Sequence, residues 1–136
     1  HYIPGDRVWF RNPDPHSSNV SGYEGSWVIY MGAGLFSNFW DCSRPFSLDE
    51  KCVELFHWRD GVYLDDAGVW CMDEAVVAQQ VAQSLADPLK LQSILLGMKK
   101  YREPSGVYQN GGCIDATRES PRLLRPQTCD IVLRDI

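Results

Sequence analysis

The stretch that most constrains this chain is Pro4-Gly5-Asp6-Arg7-Val8-Trp9-Phe10-Arg11-Asn12-Pro13, with its answering run Glu24-Gly25-Ser26-Trp27-Val28-Ile29-Tyr30-Met31-Gly32. The first run is a turn that feeds a short aromatic strand, and Asn12-Pro13 stops it, because proline has no amide to give to a sheet ladder. The second is a β-branched, apolar strand that ends at Gly32 and Gly34. Leu35-Phe36-Ser37-Asn38-Phe39-Trp40 is aromatic enough for a third strand, so residues 1–46 read as the core of a small antiparallel sheet or partial barrel. The two prolines within residues 13–23 make that polar segment a connection between the first two strands.

The next part of the chain, residues 47–101, reads as three helices and a hairpin. Ser47-Leu48-Asp49-Glu50 is a capping box, and Leu48, Cys52, Leu55 and Phe56 recur at helical spacing to a stop near Asp60-Gly61, with Gly61 as the left-handed C-terminal residue. Val62-Tyr63-Leu64 and Val69-Trp70-Cys71 flank the turn Asp65-Asp66-Ala67-Gly68 as a short hairpin. Asp73 caps a core-facing helix over about 74–86, which carries Val77, Val81 and Leu85. Asp87-Pro88 starts another that reaches about Tyr101. From Arg102 the apolar runs shorten and residues 102–136 read as irregular, with Ile131-Val132-Leu133 as an edge strand. The whole is expected to be one α+β domain of 136 residues, a sheet packed by three helices.

Charge and composition remove several function classes. The net charge is −5 and the 13 basic residues are scattered, which argues against nucleic acid, whose phosphates need clustered Lys and Arg. No stretch approaches the length of apolar sequence needed to span a membrane, and no signal peptide is visible; the start at His1 reads as a cut or processed end. The three histidines and five cysteines follow no zinc-ligand spacing, so neither a metal nor a cofactor is expected. Gly-rich phosphate loops, Gly-x-Ser-x-Gly elbows and His-Glu-x-x-His helices are missing from the sequence. Cys113 and Cys129 are candidates for a disulfide in an oxidising compartment, and free thiols in a reducing one.

The strand pair resembles the Bacillus spore-coat type of protein-glutamine γ-glutamyltransferase over residues 2–60, and more distantly the NlpC/P60 branch of papain-like cysteine peptidases. The resemblance rests on the Pro-Gly-Asp turn, the aromatic strand, the Asn-Pro exit and the Gly-rich strand ending in Met31-Gly32. It implies a thiol enzyme in which a glutamate at the start of the second strand and a histidine on the next serve a cysteine carried on an upstream helix. Those two positions fall here on Ser26 and Phe39, and no helix precedes His1 to carry the cysteine.

Three other residues are candidates for the missing chemistry. Cys71 sits just before a helix, where unsatisfied amides and the dipole favour a thiolate, although Asp73 and Glu74 oppose it. A circularly permuted papain-like domain would need its cysteine at about this place. His57, in the last turn of its helix, is the candidate general base, against the plainer reading of an imidazolium that complements the helix dipole. Glu24, two residues ahead of Ser26, is the candidate orienter. Cys52 reads as a small core side chain.

Two functions follow. The first is a transglutaminase or deamidase acting on protein glutamine, in which a thiolate attacks the γ-carboxamide and ammonia leaves; a secreted or delivered bacterial effector would suit it. The second is a scaffold without catalysis, or one fragment of an enzyme, that binds a protein partner.

Overall fold

Alternation along the first two strands decides which face of the sheet is covered. In β1 (Arg7–Arg11) Val8 and Phe10 are wholly buried while Arg7, Trp9 and Arg11 face outward, and β2 (Gly25–Gly32) answers with Ser26, Val28 and Tyr30 inward. The two run antiparallel with Val8 opposite Val28 and Phe10 opposite Ser26. The Pro-Gly-Asp turn ahead of β1 is held from within, since the buried Asp6 carboxylate accepts the Ile3 amide at 3.0 Å and the Gly5 amide donates to the Tyr30 carbonyl at 2.7 Å.

The computed structural model describes residues 2–119. β3 (Leu35–Asn38) returns along β2 through a turn at Gly32, Ala33 and Gly34, all with positive φ, a conformation for which glycine has no steric cost. β4 (Phe46–Ser47) is a two-residue strand on β3, and β7 (Ile114–Glu119) lies on the far side of β1. The resulting sheet is open and antiparallel, in the order β4-β3-β2-β1-β7. The expectation of an irregular segment after Arg102 therefore fails at 114–119, where a strand with few β-branched residues is fixed by its partner β1 rather than by its own composition. Ile131–Leu133 and Cys129 lie outside the described residues.

Helix α1 (Leu48–Gly61) covers the buried face. Its N-cap Ser47 accepts the Glu50 amide at 3.1 Å, and Leu48, Cys52, Val53 and Leu55 join Tyr2, Val8, Phe10, Val28, Tyr30 and Phe36 in one core. A hairpin of β5 (Val62–Leu64) and β6 (Trp70–Met72) leads into α2 (Glu74–Leu85), capped by the Asp73 carboxylate. α3 (Pro88–Met98) follows, capped by Asp87, with Ile94 and Met98 buried. An α+β architecture of three helices on an antiparallel sheet is what the sequence implied.

Two local expectations change. Gly61 is the last residue of α1 and has no positive φ; its lack of a side chain is needed because α2 comes so close. A Cβ there would lie 2.7 Å from the Val77 side chain and 2.8 Å from the Asp73 carbonyl. In α2 only Val77 and Ser84 are buried, so this helix does not turn its whole apolar stripe to the core. We expect Gly61→Ala to destabilise the fold by about 1–3 kcal/mol, read as a lower urea midpoint with an unchanged m-value; an unaltered midpoint would mean that the two helices are free to separate there.

A candidate binding cleft between the sheet and two helices

The part of α2 that leaves the core lines a cleft of about 1170 Å³. Its floor and one wall are Glu24, Gly25, Ser26 and Trp27 at the start of β2, with Asn38, Phe39 and Trp40 at the end of β3. The opposite wall is α1, through Glu50, Lys51, Glu54 and Trp58, and α2, through Glu74, Val77, Ala78, Val81, Ala82 and Leu85.

The loop that brings Tyr23 and Glu24 to this wall is shaped by Asn12, which is fully buried. Its side-chain amide donates to Ser17 Oγ at 2.9 Å and to the Tyr23 carbonyl at 3.0 Å, and its oxygen accepts the Asp14 amide at 3.0 Å. Asn12-Pro13 thus ends the strand and also folds the connection. Tyr23 then donates its hydroxyl to Glu74 at 2.6 Å and packs edge-on against Trp58, with ring centroids 4.9 Å apart. Burial first, and the Glu74 hydrogen bond second, push the Tyr23 phenol above its usual value, so this link between loop and α2 persists through neutral pH.

One residue that lines the cleft is not singled out in the sequence analysis. Lys51 is only 2% exposed, and its Nζ lies 2.7 Å from Glu54 Oε2, 3.4 Å from Asn38 Oδ1 and 3.5 Å from Ser26 Oγ, with the Phe46 ring centroid 4.4 Å away. Three acceptors and an aromatic face satisfy a buried ammonium that would otherwise be very costly. The shortest of these contacts is to Glu54, and Ser26 Oγ is the most distant of the three acceptors. The signal in the sequence was a lysine three residues before a glutamate on the same helix as the buried Leu48 and Cys52.

Glu24 is the one member of the expected trio that lines the cleft. His57 is 1% exposed and lies in the packing between helices, with Nδ1 2.6 Å from Asp60 Oδ2 and Nε2 2.6 Å from Ser84 Oγ. This Ser–His–Asp array pins α1 to α2, and with Ser84 wholly buried no substrate reaches it. Cys71 sits on β6, half-buried, with Sγ 3.5 Å from both Asp65 Oδ2 and the Val69 carbonyl. Partial burial first, then the Asp65 carboxylate, push its thiol up, the opposite of what a nucleophile needs. The structure therefore does not bring Cys71, His57 and Glu24 together. Among the described residues no cysteine or histidine lines the cleft, and no group of three or more metal-ligating side chains occurs. No helix among them is long and apolar enough to cross a membrane.

Two measurements check this arrangement. Glu54→Gln should cost about 1–2 kcal/mol by leaving the ammonium with neutral acceptors, and Lys51→Met with Glu54→Gln should recover most of it; additive losses in the double-mutant cycle would dissolve the pair. With iodoacetamide at neutral pH, exposed Cys42 should alkylate several-fold faster than Cys71, while Cys52 and Cys113 stay protected until unfolding. Asp65→Asn should speed Cys71, and a Cys71 that outruns Cys42 would contradict the thiol environment described.

No curated protein and no solved structure matches the chain. A family profile described as protein-glutamine gamma-glutamyltransferase does match, over residues 1–125, and takes in the sheet, all three helices and the cleft. The chain belongs to the protein-glutamine γ-glutamyltransferase family.

Proposed function

We propose that this domain uses its cleft to hold an extended segment of a protein partner, with no cysteine among the described residues lining the cleft to attack the bound segment. The observation that carries this reading is the Lys51 network. The two positions at which the family resemblance implies a glutamate and a histidine hold Ser26 and Phe39, and the Lys51–Glu54 ion pair lies beside Ser26 and Asn38. The Lys51 side chain is thus engaged by three acceptors at the place where the resemblance implies catalytic groups, and its Glu54 partner is partly exposed.

The remaining features of the cleft are those of a binding surface. Its volume lies above the roughly 300–1,000 Å³ of ordinary small-molecule pockets. Tyr23, Trp27, Phe39, Trp40, Phe46 and Trp58 supply rings that bury large areas at small entropic cost. Trp40 is 80% exposed and Phe39 43% exposed, so both can be covered by a partner. Glu24 and Glu50 add carboxylates at the edge.

The family match keeps a second reading in view, a glutamine transferase or deamidase with Cys71 as nucleophile, His57 as base and Glu24 as orienter. It requires β6 and α1 to rearrange, because the Cys71 and His57 side chains have other partners. One experiment separates the two. The protein is incubated with a glutamine-rich unfolded protein and a primary amine, and both ammonia release and tryptophan fluorescence are followed. The binding reading expects ammonia at the buffer background, a saturable fluorescence change, and roughly tenfold weaker binding for Trp40→Ala. Ammonia release that disappears in Cys71→Ala would establish the transferase reading instead.

A further inference from the structure

Away from the cleft, the core contains two cysteines that are distant in sequence and adjacent in space. Cys52 lies in the second turn of α1 and Cys113 immediately before β7; both are wholly buried, and their Sγ atoms are 3.4 Å apart. Cys113 is held firmly. Its amide donates to the Met98 carbonyl at 3.0 Å, its thiol to the same carbonyl at 3.2 Å, and its own carbonyl accepts the Arg11 amide at 2.8 Å. Cys52 is fixed by the core around it, between Lys51 and the buried Val53. Bonding the two sulfurs needs an approach of only about 1.3 Å, to reach the usual S–S length near 2.05 Å.

We infer that Cys52 and Cys113 are a disulfide-forming pair whose redox state is set while the chain folds and is then kept by burial. Before the core closes, both thiols are open to a low-molecular-weight disulfide. One Cys thiolate attacks it and releases one small thiol; the other Cys thiolate attacks the mixed disulfide and releases the second. In sum, two protein thiols and one small disulfide give one protein disulfide and two small thiols, and two electrons pass to the reagent. Once folded, neither sulfur is reachable, so an oxidant cannot make the bond quickly and a reductant cannot break it. A chain folded in an oxidising compartment is stapled from α1 to the strand beside β1, and one folded under reducing conditions carries two inert thiols.

The staple would close a loop spanning 61 residues in sequence, long enough for a large effect on the unfolded chain. It also fixes the residue next to Lys51, and so the wall of the cleft.

The test is refolding of the denatured, reduced full chain in two buffers, one of oxidised and reduced glutathione and one of excess dithiothreitol, with pairing mapped by peptide mass spectrometry. The glutathione sample is expected to carry a Cys52–Cys113 link that resists dithiothreitol in the native protein and opens in urea. Its Tm should lie roughly 10 °C above that of the reduced sample. Cys113→Ala should abolish that difference, and Cys42→Ala and Cys71→Ala should keep it. Native protein from the glutathione buffer in which Cys52 and Cys113 are free, or joined to other cysteines, overturns the inference. So does a link that dithiothreitol opens at once without urea. If Cys113→Ala does not fold, the mapping in the unmodified chain decides alone.

Discussion

An ammonium group with almost no exposed surface must be surrounded by acceptors, and around Lys51 those acceptors come from separate parts of the chain. Ser26 belongs to β2, Asn38 to β3 and Glu54 to the next turn of α1, with the Phe46 ring of β4 against the charge. Removing a charge from water costs far more than any one of these contacts returns, so the group is tolerable only where they coincide. That requirement fixes α1 against the open end of the sheet. The shape of the cleft wall follows, since the helix face that carries Lys51 also carries Glu54 and Trp58, three and seven residues on.

The parts of the fold that could be read from the chain were those set by local chemistry. Ser47, Asp73 and Asp87 cap helices because a short polar side chain reaches an amide two or three residues ahead, whatever the tertiary setting. Asn12-Pro13 and the Gly32–Gly34 turn bound strands for equally local reasons. What escaped was set by partners remote in sequence. β7 is a strand because β1 offers it an edge. Gly61 looked like a helix terminator, but its real constraint is Val77, sixteen residues on.

The site divides in the same way. Ser26 and Phe39 could be placed by resemblance, and Glu24 beside them, because these positions lie on one strand pair whose spacing the sequence preserves. Cys71 and His57 stand out in the sequence through local electrostatics, a helix start and a helix end. In each case the neighbour that matters comes from elsewhere: Asp65 across the hairpin, and Ser84 on another helix. Lys51 does not stand out in the sequence because a helical lysine is ordinarily solvated. Only the fold shows that this one is enclosed.

The placement of α2 has a thermodynamic side. With only Val77 and Ser84 buried, the helix is held by its cap, by the His57 and Tyr23 links, and by a narrow strip of packing. Val81, Ala82 and Leu85 line the cleft, where the proposed segment would cover them. Binding of the proposed segment would therefore be linked to the local stability of α2. Each kilocalorie an occupant gains from this wall slows the opening of the helix and the exchange of its amide hydrogens, so the cleft is least rigid when it has nothing to hold.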